Sequence, residues 1–216
     1  GIDITIALPM GVELAARTWN PRIGVEGGLS VIGTSGVVEP ASSEAFRRSI
    51  WRSARAFRAR ALERPWISPG YVGEAYLKAL GIPDDEVLVV GDHIGFSLDA
   101  CARLGFVRVG LAAHIGKLSK LAAGLFNTHA RYGDARLETL AACASAAGGS
   151  PALARRILEL KLAEEAIPLI NESGLAGVWD DIAARAAWRA RLRCGLPVTC
   201  VALDLKGNAL GKGEYP

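Results

Sequence analysis

The sequence has little of what holds metals and crosslinks. Its four cysteines, Cys101, Cys143, Cys194 and Cys200, form no Cys-x-x-Cys pair, and its three histidines, His93, His114 and His129, lie far apart. Neither a structural zinc site nor a disulfide framework is expected, because the first needs clustered ligands and the second belongs to small chains with poor cores. Reduced thiols in the cytoplasm are the expectation. There is no run of about 18 apolar residues and no signal-peptide pattern, so neither a membrane span nor export is expected. The formal charge is +3 and the pI about 8.8. That is too little for the dense basic stripe of a nucleic-acid binder, but enough for a basic patch around a small anionic ligand.

What the chain has is apolar bulk. Half of its 216 residues are apolar, which suffices to bury a full core in one large domain, with or without a helical appendage. It opens on Gly1-Ile2-Asp3 without a methionine, so it reads as a piece of a longer protein.

Residues 20–40 are the stretch around which the rest is arranged. A short β-branched run sits among glycines and leads into Gly33-Thr34-Ser35-Gly36, the pattern of a strand, a tight turn and a helix start. Such a turn lets backbone approach a nucleotide or another polar ligand. Its spacing is not Gly-x-Gly-x-x-Gly, so a nicotinamide or flavin site does not follow. A ligand loop and a bend that merely packs both remain open.

Along the rest of the chain, residues 2–8 alternate like a strand and residues 12–18 like a short helix. Ser42 or Ser43 caps a helix with Phe46, Ile50, Ala54, Phe57 and Ala61 on one face and arginines on the other, a solvated face or a landing surface for a polyanion. From residue 65, strands alternate with helices: 65–68 then 73–80, 86–90 then a helix to Leu104, and 107–112 then 116–126. This alternation predicts an α/β fold, a mostly parallel, Rossmann-like sheet with helices on both faces. Residues 1–138 form the ligand-binding core, and residues 139–216 a helical extension with a terminal strand or hairpin. Within the extension, Ser150 and Pro151 cap a helix that Pro168 kinks or breaks.

Ligands in such sheets sit outside the carboxyl ends of the strands. Gly33-Thr34, Pro69-Gly70, Gly91-Asp92-His93 and His114 all fall just after a strand and just before a helix, so they are expected on one edge.

Several strings together resemble one family. Asn20-Pro21-Arg22-Ile23-Gly24 with Gly27-Gly28 and Gly33 to Pro40, then Gly91-Asp92-His93-Ile94-Gly95-Phe96, then His114-Ile115-Gly116-Lys117-Leu118 and Asn127-Thr128-His129 resemble the cobalt-precorrin-5B C1-methyltransferases, the CbiD family of anaerobic cobalamin biosynthesis. The likeness runs from Ile4 to about Glu138. Ala113 and Ala130 depart from it, and the family's Gly-Phe-Thr-Thr-Gly type N-terminal segment has no counterpart.

The resemblance implies methyl transfer from S-adenosyl-L-methionine to C1 of cobalt-precorrin-5B, giving cobalt-precorrin-6A. The cobalt belongs to the tetrapyrrole substrate, so no protein metal site is expected. Gly27, Gly28, Gly33, Thr34, Gly36, Gly70 and Gly91 are the expected cofactor turns. Asp92 either accepts from the ribose hydroxyls or caps a helix. Arg22, His93, Lys117, Asn127, Thr128, His129 and Arg136 are the expected substrate contacts, the cations among them meeting acetate and propionate groups. His114 is the expected proton acceptor, or else it bonds the backbone at a strand end. Neither nucleic acid nor membrane is an expected partner, and homo-oligomerisation is open. Two other readings stand: a nucleotide-binding oxidoreductase of the same fold, and a non-catalytic corrinoid-binding subunit.

Overall fold

A computed structural model describes residues 1–3, 5, 7–18, 26–29 and 43–216. The helices among them are α1 (Gly11–Ala15), α2 (Ser43–Ala59), α3 (Tyr71–Ala79), α4 (Ile94–Arg103), α5 (Ile115–Ala122), α6 (Arg136–Ala146), α7 (Pro151–Leu158), α8 (Ala166–Glu172) and α9 (Val178–Cys194). The strands are β1 (Trp66–Ser68), β2 (Val87–Val89), β3 (Val109–His114), β4 (Val198–Leu203) and β5 (Ala209–Tyr215).

The fold is mixed α/β, with one five-stranded sheet in the order β2-β1-β3-β4-β5. The first four strands are parallel, and β5 returns antiparallel to β4 through a turn at Gly207, whose φ is 85°. Two of the five strands thus come from beyond residue 138. β3 lies in the middle, and its residues from Val109 to Ala113 are buried without alternation. That pattern belongs to a strand covered on both faces.

The two faces are covered unequally. α3 packs on one face, where Val72 and Leu77 meet Val87, Ala112, Val201 and Leu203. The larger core lies on the other face and takes in Ile50 and Phe57 of α2, Leu98 of α4, Leu118 and Leu121 of α5, and the alanines of α9. Close approach explains the small residues. A Cβ on Gly73 would meet the carbonyl oxygen of Ala112 and stand 2.6 Å from Ser68 Oγ, and one on Gly211 would stand 2.5 Å from the backbone carbon of Trp179. Ala183, Ala186, Ala187 and Ala190, all fully buried, let α9 lie flat over the sheet.

Two expectations are corrected. The described residues among 2–8 form no strand, and Ile2 is 87% exposed, because they find no pairing partner among the described residues. Pro168 breaks no helix. α7 has already ended at Leu158, and Pro168 is the third residue of α8, where the missing N–H would have no helical partner anyway. Among the described residues, no helix is long and apolar enough to cross a membrane. All four cysteines are free.

Candidate functional site

The path of the chain creates a crevice. β1 leads through α3 on one face to β2, and β2 leads through α4 back across to β3 on the other side of β1. The exits of β1 and β3 therefore diverge to opposite faces. An open parallel sheet offers its ligand site at such a reversal.

Lys117, in the first turn of α5, bridges this crevice. Its Nζ donates to the carbonyl of Pro69 at 2.6 Å and of Gly91 at 3.3 Å, and lies 3.1 Å from Asp92 Oδ1. An ammonium has three donors, and these partners account for all of them. Lys117 therefore ties together the loops leaving β1 and β2 and the helix following β3. Lys117 was expected to meet a substrate carboxylate; in this structure its ammonium faces Pro69, Gly91 and Asp92.

Asp92 is the second node. Oδ1 accepts from Thr128 Oγ1 at 2.7 Å as well as facing Lys117, and its backbone carbonyl accepts from Thr128 N at 3.1 Å. Burial works to raise its pKa. The Thr128 hydroxyl and the charge and hydrogen bond of Lys117 outweigh that and hold it below the usual carboxylate value. Asp92 caps no helix, since the residue before α4 is His93. Its Oδ2 accepts no hydrogen bond among the described residues.

The loop after α5 is sewn onto this edge. Gly95 N donates to Phe126 O at 2.8 Å, and a Cβ on Gly95 would lie 2.7 Å from Phe126 Cβ, so a larger residue would part the two loops. Lys120, 5% exposed, donates to Thr128 O at 3.0 Å. Asn127 Oδ1 accepts from His129 N, and His129 Nδ1 from Arg131 N. Gly91 has a φ of 55° and packs beside the Phe46 ring. At Gly70, by contrast, an added Cβ would meet nothing within 4 Å among the described residues.

His114 stands at the exit of β3 with both ring nitrogens in use. Nδ1 accepts from Gly116 N at 3.1 Å, so Nε2 carries the hydrogen and meets Glu164 Oε2 at 2.9 Å. Glu164 also accepts from Leu205 N at the exit of β4. His114, the expected proton acceptor, caps α5 through Nδ1, which is the backbone bond at a strand end of its other reading. Glu164 is a residue the sequence did not point to; it lies 50 positions from His114 and follows an unremarkable helix.

Arg136, another expected substrate contact, is engaged within the chain. Its guanidinium forms a two-pronged pair with Asp134, Nε to Oδ1 at 2.8 Å and Nη2 to Oδ2 at 2.6 Å, which lowers the Asp134 pKa. Two arginines that were not expected here, Arg47 of α2 and Arg131, lie close enough to His93 for their charges to act on it. Gly27 and Gly28 have φ of 84° and 154°, and among the described residues nothing lies within 4 Å of where a Cβ would sit. Arg22, Gly33, Thr34 and Gly36 lie outside the described residues. Among those described, no group of three or more His, Cys, Asp or Glu could hold a metal ion.

The family models for CbiD and for the CbiD C-terminal domain match residues 1–40 and 127–214. The chain belongs to the CbiD family. The cobalt-precorrin-5B C(1)-methyltransferase of Moorella thermoacetica is 39% identical over 99% of this chain and 60% of its own length. That of Methanocaldococcus jannaschii is 37% identical over 97% of this chain and 59% of its own. This CbiD chain thus spans about three-fifths of the length of these relatives. No solved structure matches it.

Proposed function

We propose that the chain carries the donor and substrate edge of an S-adenosyl-L-methionine-dependent enzyme that methylates C1 of cobalt-precorrin-5B, giving cobalt-precorrin-6A in anaerobic cobalamin biosynthesis. The observation that carries the reading is the Lys117 bridge across the reversal of a Rossmann-like sheet, in a chain of the CbiD family. Free thiols throughout fit a reducing, cytoplasmic setting.

The residues fit the donor. Gly70 leaves backbone approachable at the exit of β1, and Asp92 keeps Oδ2 for the ribose hydroxyls. When bound, the sulfonium supplies an activated methyl group, so the protein's task is to align it with the ring carbon and keep water away. Lys117 and Thr128 hold the Asp92 carboxylate still. Among the described residues, Arg47 and Arg131 are cations placed to meet acetate and propionate groups, and His129, whose Nδ1 accepts from Arg131 N, can donate to them through Nε2. Residues 139–216 act as a scaffold, through Glu164 and the last two strands.

Incubating the protein encoded by the whole gene with donor methyl-labelled in carbon-13 and with cobalt-precorrin-5B is expected to give one new labelled methyl on a quaternary ring carbon, seen by NMR. Binding of the tetrapyrrole with no transfer from saturating donor would favour a non-catalytic subunit. Protection by a nicotinamide cofactor and indifference to S-adenosylhomocysteine would favour an oxidoreductase.

A further inference from the structure

The three histidines differ in what their rings do. His114 and His129 each accept at Nδ1 a backbone N–H from two residues on, Gly116 at 3.1 Å and Arg131 at 3.2 Å. His93 also precedes a helix, but its side chain caps nothing. Its Nε2 is 3.3 Å from Ser43 Oγ, its ring centroid is 5.6 Å from that of Phe46, and its Nδ1 has no hydrogen bond among the described residues. The ring is half-buried at the exit of β2, next to Asp92.

We propose that His93 is the proton acceptor of the methyl transfer, with Nε2–H resting on Ser43 and the lone pair on Nδ1. The proposal rests on the methyltransferase reading above. In the balanced step, the ring carbon bonds to the methyl as the sulfur–methyl bond breaks, its electrons staying on sulfur. The macrocycle, now one positive charge higher, releases a proton whose bonding electrons remain in the ring system, and Nδ1 takes that proton before passing it to water.

The surroundings suit that work. A proton acceptor must be neutral beforehand. Burial and then the charge of Arg47 on α2, with a further push from Arg131 after α5, lower the pKa of His93 against the opposing pull of Asp92. Substrate carboxylates that pair with Arg47 and Arg131 would cancel this push, so the imidazole becomes more basic once substrate is seated.

The test compares kcat of the whole-gene protein with His93→Gln, His93→Gly and His114→Gln, with calorimetric affinity for S-adenosylhomocysteine as the control for an intact site. His93→Gln is expected to lose about 100-fold in kcat with that affinity kept, and added imidazole is expected to restore part of the His93→Gly rate. His114→Gln is expected to keep most of its kcat. Arg47→Ala, which leaves the ring in place, is expected to move the acid limb of the kcat/KM profile, which reads the free enzyme, to higher pH, because a repelling charge is gone. Wild-type turnover in His93→Gln, failure of imidazole to help His93→Gly while the analogue still binds, or an unmoved acid limb in Arg47→Ala would each overturn His93 as acceptor. If the wild-type protein itself transfers no methyl, the function proposed above fails and this inference fails with it.

Discussion

Lys117 holds its charge where a helix least favours one, in the first turn, next to backbone N–H groups. Two carbonyls and the Asp92 carboxylate compensate. Replacing it by methionine keeps the stem and removes the three bonds, so Lys117→Met is expected to cost about 2 kcal/mol in urea unfolding, with the exposed third of the side chain softening the effect. Asp92 gives the pH dependence. Its pKa is lower in the folded chain than in the unfolded one, so its contribution is complete above about pH 4 and disappears as the pH falls further. The stability gap between wild type and Asp92→Asn is therefore expected to be open at pH 7 and to shrink progressively as the pH falls below about 4. At this scale the sequence marks positions better than partners. Asp92, His93 and His114 were legible as strand-end residues, and Lys117 as part of a family string. That Lys117 and His114 face inward, onto Pro69 and Glu164, depends on contacts 48 and 50 residues away.

The elements were more legible than the side chains. The three strand-helix pairs from residue 65 to α5 appear with bounds shifted by a few residues, because β-branched runs ending in glycine or proline leave a strand few alternatives. Residues 2–8 misled because alternation describes a half-buried strand only if a neighbour exists to pair with it. Pro168 misled because proline stops a helix in its interior and starts one in its first turn. Packing glycines such as Gly73 carry no local signal, yet Gly73 lets α3 lie against Ala112 of β3. Gly73→Ala is expected to destabilise by about 2 kcal/mol or more by forcing α3 off the sheet. Gly177→Ala, at a helix start with open space and an ordinary φ, is expected to stay within about 0.5 kcal/mol. Thermal melts of the two variants separate close packing from a general intolerance of alanine.

At the scale of the molecule, the sheet order gathers four strand exits onto one edge, and hydrogen bonds join them in pairs: β1 and β2 through Lys117, β3 and β4 through His114 and Glu164. The mild basicity, +3 overall, suits a substrate lined with carboxylates. Raising salt from about 0.05 M to about 0.5 M is expected to increase KM for the tetrapyrrole several-fold while affinity for the donor changes little, since the first contact is between exposed charges and the second is not. The central claim is that the crevice behind the Lys117 bridge receives the donor. Calorimetry of S-adenosylhomocysteine binding to the whole-gene protein and to its Asp92→Asn variant tests it most directly. The account expects tight binding by the wild type and a loss of about tenfold, some 1.4 kcal/mol, in the variant; equal affinity in the two proteins, or none in either, would contradict it.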